Sequence, residues 1–344
     1  MNLDQAIRLR DPALLPSRRD EDWRWTDLRS LLRTVPEPSQ ALAPSTAGPG
    51  PFDGLEGETV VIANGSGPAE ITVAARQVRT VILRHVSGGD GAHAARLRIS
   101  AGAEARLTLL ESHEGGGGSL SLLSVVLELE AGASCERLVL SDMSAEAVAV
   151  VELDVHLSSA ARFAQTLLTT GARRQRLETR LQHPGQGAEC RLDGAYLLGG
   201  RRHADLTSSV RHGGPDGRTD QLARGLVDDQ ARAVFQGRIT VQEGADGTDA
   251  RMAHNALILS HQAEVDARPE LEIYADDVAC AHGATVGALD DDVLFYMRQR
   301  GLPEAAARTL LAASFLGEVI DRAESPEAAS RMRSWLATRL GAGG

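Results

Sequence analysis

Apolar and polar positions alternate in short runs through the middle of this chain, and the spacing changes to three or four residues at both ends. From about Thr59 the runs are TVVIAN, RTVILRHV, ARLRIS, ARLTLLES, LSLLSVVLELE, CERLVLS and AVAVVELDVHL, punctuated by Gly, Ala, Ser and Asp. A period of two predicts strands. A loose echo recurs among them: AGAEARLTLLE, AGASCERLVLS, SSAARFAQTLL and GQGAECRLDGAYL. Its interval of roughly 27 to 30 residues lies in the range of solenoid repeats. Each unit reads as a small-residue turn followed by a strand, and such a strand buries both faces only if successive coils stack. The pattern predicts a parallel β-helix over 59–286; a β-sandwich is the other fold that many short strands allow.

The ends read as helices. In 1–35, LDQAIRLR and WRWTDLRSLLRTV space their apolar residues three or four apart. Pro36, Pro38, Pro44, Pro49 and Pro51 then mark 36–58 as a linker, because proline removes backbone donors. In 287–344, LDDDVLFYMRQRG has Asp290 placed to cap a helix and Gly301 to end it. A second helix starts at Pro303 and a third at Ser325-Pro326. Leu310, Leu311, Phe315 and Val319 form an apolar stripe that either packs on the β core or receives a partner.

Composition narrows the chemistry. Aromatic residues make up 3% of the 344, so the core is built from Leu, Val, Ile and Ala. A net charge of −11 argues against nucleic acid. There is no lysine, hence no Walker-A lysine and no Schiff base. The GGGG at 115–118 lacks the following Lys-Ser/Thr and reads as a turn. Cys135, Cys190 and Cys280 form no Cys-x-x-Cys pair, which suits reduced thiols and a cytoplasmic protein. The N-terminus has no apolar signal segment, and no run of about 18 apolar residues suggests a membrane span. A carbohydrate-active β-helix enzyme would need paired carboxylates and aromatic platforms; with three Trp and three Tyr the chain offers few platforms.

Among candidate ligands, Cys280 and His282 are two apart and share one strand face. Thiolate and imidazole suit iron or zinc, yet the pair supplies two of the four ligands a metal usually takes. Asp276 and Asp277 read as turn residues. His254 and His261 fall on opposite faces. His85 and His93 flank a Gly-rich turn and read as surface residues, Cys135 and Cys190 as core residues. Trp23 and Trp25 read as anchors for the N-terminal helices.

The stretch from Pro269 to Phe315, PELEIYADDVACAHGATVGALDDDVLFYMRQRGLPEAAARTLLAASF, closely resembles the SufB/SufD family of iron–sulfur cluster assembly scaffolds. LPSRRDEDWRWTDLRSLL, from Leu15 to Leu32, resembles the opening of its SufD branch. The resemblance implies a right-handed parallel β-helix with helical ends and a non-catalytic scaffold role. It implies pairing with SufB through the β core and docking of the SufC ATPase through the C-terminal helices. An iron–sulfur cluster would be held transiently, shared with SufB, and Cys280 and His282 match the family's interface cysteine and histidine. Ala281 stands between them where the family commonly has serine. A homodimer storing iron is an alternative when the chain is alone.

Overall fold

A computed structural model of the chain describes residues 3–46, 48–183 and 186–341. Its centre is a parallel β-helix. The strands are β1 (Glu58–Ala63), β2 (Glu70–Val73), β3 (Val78–Ser87), β4 (Ala92–Ala101), β5 (Arg106–Gly115), β6 (Leu120–Leu129), β7 (Ser134–Asp142), β8 (Val148–Leu157) and β9 (Arg162–Thr169). They continue as β10 (Arg174–His183), β11 (Glu189–Leu198), β12 (His203–His212), β13 (Arg218–Val227), β14 (Arg232–Val241), β15 (Asp249–Ile258), β16 (Glu264–Ile273) and β17 (Ala279–Gly287). Odd-numbered strands form a nine-stranded sheet and even-numbered strands an eight-stranded one. Every strand pair is parallel, so the chain winds alternately through two facing sheets. Arg137 lies beside Gln165 in the register, one coil and 28 residues on.

The repeat echo has a structural cause. Arg76, Glu104, Gly132, Ala160, Gly187, Asp216 and Gly247 all take positive φ. They stack at one corner of successive coils, and each donates its N–H to a carbonyl of the next coil, as Gly132 does to Ser159 and Ala160 to Gln186. Left-handed backbone costs little for Gly and more for other residues, and the stacked hydrogen bonds offset that cost where Glu104 and Ala160 stand. Ala105, Ala133, Ala161 and Ala188 follow this corner and are fully buried, small enough to let the sheets approach.

Alternation sends one side-chain set of each strand inward. Leu97, Ile99, Val125, Leu127, Leu153 and Val155 of the even sheet meet Leu107, Leu109, Val139 and Phe163 of the odd sheet in one core. The outer faces are covered in part. The N-terminal segment has α1 (Leu3–Leu9), α2 (Leu28–Leu31) and single-turn 3-10 helices between them. It lies on the even sheet, where Leu3, Leu15, Trp23 and Leu28 pack against Leu120, Leu122, Val148 and Val150. The helix expected across WRWTDLRSLLRTV is confined to α2, because Asp27 caps Ser30 N and Thr26 bonds Asp205 at 2.5 Å, drawing the preceding residues onto the sheet. Arg176 stacks on Trp23 at 4.5 Å.

The C-terminal helices are α3 (Asp291–Gln299), α4 (Glu304–Ile320) and α5 (Pro326–Gly341). Leu316, Val319, Ile320, Met332 and Leu336 seat α4 and α5 on the outer face of the odd sheet, against Leu138, Leu140, Leu168 and Leu226. The proline-rich 36–58 also joins this layer: Phe52 is buried there, and Asp53 O accepts from Arg331 of α5 at 2.8 Å. No helix among the described residues is long and apolar enough to cross a membrane.

Candidate functional site

Both coil ends leave strand edges unpaired, and the C-terminal end is the more exposed. At the C-terminal end, β16 and β17 are the last strands of their sheets, and both have an unpaired edge. Their burial falls away accordingly, from the fully lined interior of β14 to a β17 that is exposed at every residue except Cys280. Unpaired donors and acceptors along an edge are a template for another strand. Ile273, Tyr274 and Val286 stand exposed around this end.

Cys280 and His282 lie on β17. Their register partners on β15 are Ala250 and Met252, both buried inside the coil. The pair therefore continues the interior face of the β-helix at the position where the coil stops. Cys280 is half-buried against the inner core; its thiol is raised, mainly by burial and also by Asp249, and the Ala250 backbone N–H offsets only part of this. His282 is exposed. Among the described residues no three of His, Cys, Asp and Glu group closely enough to hold a metal ion. Asp276 and Asp277 sit in the β16–β17 turn, where Asp277 O accepts from Gly247 N. The arrangement is a soft-donor pair at an open strand edge, two donors where a metal usually takes about four.

The other histidines are placed differently. His254 is buried, accepts or donates at 2.9 Å with the Tyr196 hydroxyl and stacks on Phe235 at 4.5 Å, whereas His261 is in an exposed turn. His85 and His93, expected at the surface, are buried inside the first coils. They share strand parity with inward Leu83 and Ala95, and alternation overrides the glycines beside them. His93 bonds Ser39 at 2.9 Å and Ser87 at 3.0 Å. Desolvation lowers His85 to about 3 and His93 to about 4, so both are neutral near pH 7. Next to them Glu111 is held between His113 at 2.6 Å and Arg137, which bonds it twice at 2.7 Å and reaches Gln165. This polar tract was not singled out from the sequence. Glu111 and His113 follow Leu107 and Leu109 at steps of two, and that parity was the available signal. Cys135 and Cys190 are buried, and their thiols are pushed up by desolvation.

The helical end presents a second surface. Leu294 packs inward from α3, but Val293, Phe295 and Tyr296 are exposed, as is Leu310 of α4. The apolar stripe thus divides: Phe315 and Val319 join the layer on the odd sheet, and Leu310 faces out.

Residues 84–315 match the family described as SUF system FeS cluster assembly, SufBD core domain. An iron–sulfur cluster assembly SufBD family protein of Synechocystis is 35% identical over 169 residues, 49% of this chain and 37% of that relative. The iron–sulfur cluster assembly protein SufD of Escherichia coli is 36% identical over 162 residues, 47% of this chain and 38% of the relative. The chain thus matches less than two fifths of the length of each. A SufBD family protein of Mycobacterium bovis is 26% identical over 359 residues, covering 95% of this chain and 89% of the relative.

Proposed function

Because the chain belongs to the SUF system FeS cluster assembly SufBD core family, we propose that it is a SufD-type scaffold that pairs with SufB, docks the SufC ATPase and holds half of a site for a nascent cluster. The observation that carries this reading is the half-site itself. Cys280 and His282 stand on the terminal strand, beside an edge that a partner strand can extend. Two soft donors at an interface ask for the rest of their coordination from the partner. The cluster is cargo, received and passed on. The chain's contribution is to hold one thiol and one imidazole on a rigid strand.

Docking of the ATPase fits the exposed Phe295, Tyr296 and Leu310, which lie apart from the layer that seats the helices. Energy for the cycle would come from that partner, and relative movement of the two β cores would open or close the shared site.

The test is co-expression with SufB and SufC, followed by iron and sulfide analysis of the copurified complex. His282→Ala should lower cluster content several-fold while subunit stoichiometry stays intact. Cys280→Ala should act in the same direction, more mildly if part of its role is packing. Normal cluster content in the double variant would return both residues to a structural role.

A further inference from the structure

The elbow between α4 and α5 rests on a buried carboxylate with an incomplete set of donors. Asp193 stands on the outer face of β11, with its side chain fully buried beneath the elbow. One oxygen, Oδ2, accepts from Arg191 of the same strand at 2.9 Å and lies 3.3 Å from Arg322 of the elbow. The other, Oδ1, is buried with no hydrogen-bond donor. Its cross-strand neighbour on β9 is Thr166, whose buried hydroxyl is also unpartnered. Arg322 in turn holds Asp220 of β13 at 2.6 Å, and its carbonyl accepts from Arg191. Glu324 lies 3.9 Å from Arg191, whose Nη2 is buried without a hydrogen-bond partner, and Arg224 pairs with Glu318 of α4 nearby. The adjoining carboxylate, Glu136 of β7, accepts the backbone N–H of Glu324 and Ser325 at the start of α5.

We propose that Asp193 is a proton-controlled latch that sets how firmly the α4–α5 elbow is seated on the β-helix. A carboxylate oxygen buried without a donor is relieved by taking a proton. Burial raises the Asp193 carboxyl to about 7; Arg322 and Arg191 oppose the rise and Asp220 adds to it. When the elbow lifts, the carboxyl reaches water and returns toward the ordinary range near 4. The seated form therefore holds the proton more tightly than the lifted form. By linkage, raising the pH from about 4 to about 7 favours lifting, and the effect levels off above that. The elbow is tightest in mild acid and loosens toward neutral pH, whatever docks on the helices.

Hydrogen–deuterium exchange of peptides across 316–330 in the full chain tests this. After division by the chemical exchange rate, the opening constant should rise about tenfold between pH 6 and pH 8. Asp193→Asn, which mimics the protonated side chain, should show a flat profile with protection at least equal to that of the wild type at pH 6. Should that variant fold poorly, Arg322→Gln removes a cation and keeps the carboxyl, and the rise should move to higher pH. A flat wild-type profile overturns the proposal, and so does an unmoved profile in Arg322→Gln. Persistence of the rise in Asp193→Asn overturns it equally.

Discussion

At the scale of residues, the inner space of this narrow coil is divided by pairing large side chains with glycines. Tyr196 faces inward on β11, and its register partner on β13 is Gly225. A Cβ on Gly225 would lie 1.9 Å from two ring carbons of Tyr196. The ring cannot retreat without losing the bond to His254 at 2.9 Å. Close-packed interiors do not absorb such an overlap cheaply. Gly225→Ala should cost about 1–3 kcal/mol or more in urea denaturation, and Gly225→Ala combined with Tyr196→Leu should recover part of the loss. A single variant as stable as the wild type would show that the ring has room to move. The same scale explains one misjudged pair. The glycines beside His85 and His93 suggest solvent, but both imidazoles stand at inward parity and are buried. Local composition describes the turn, whereas parity decides the side-chain direction.

At the scale of elements, the strands were legible because alternation is local, and the solenoid was legible because the corner repeats. The equivalence of AGAEAR and AGASCER is the left-handed corner plus its buried alanine, present at Glu104–Ala105 and again at Gly132–Ala133. The Cys280–His282 pair was legible as two donors on one face. That β17 is the last strand was legible too, because helical spacing resumes just after 286; that this face continues the interior of the coil depends on the register between coils, which no local pattern encodes. The helix across 23–35 misled for a related reason: its apolar period is satisfied by contacts with the sheet, and only Leu28–Leu31 needs helical geometry to make them. On the C-terminal helices the buried residues that seat them and the exposed residues proposed for docking are separate, and that separation makes a sharp test. Deleting 287–341 would uncover Leu138, Leu140, Leu168 and Leu226 on the odd sheet. Each large apolar side chain returned to water costs roughly 1.5–3 kcal/mol, so the truncated chain should aggregate or melt far lower. The triple variant Phe295→Ala, Tyr296→Ala, Leu310→Ala should melt close to the wild type, since all three are exposed. It should still lose capture of the SufC ATPase in copurification. Full capture by the triple variant would move the docking surface elsewhere.

At the scale of the whole molecule, the two sheets enclose an interior that is apolar along most of its length and polar in selected layers, and the protonation state of those layers sets the range of pH in which the fold holds. His85, His93, His203, His212 and His254 are buried in or against the coil, and desolvation lowers His85 to about 3 and the others to about 4. In the unfolded chain each titrates near 6.5. Below that pH the unfolded state gains protons that the folded state refuses, so stability falls as pH drops from about 6.5 toward 4. Glu111 acts in the same direction. Burial alone would raise its carboxyl, but Arg137 and His113 outweigh burial and hold it well below the ordinary range. Its contribution is present above about pH 4.5 and is lost below. Asp193 opposes them, and it is a single group. Each buried imidazole can contribute a slope of up to about 1.4 kcal/mol per pH unit, and five together are large beside a total stability on the order of 5–15 kcal/mol. The expected result is a melting temperature nearly level from pH 8 to 7 and falling steeply between pH 6 and 4.5, with loss of the β signal in circular dichroism. His254→Gln should flatten part of that slope, because it removes one of the buried imidazoles. A melting temperature that holds level down to pH 4.5 would mean that the imidazoles take up protons without opening the coil, and the interior would then have to be wetter than its packing allows.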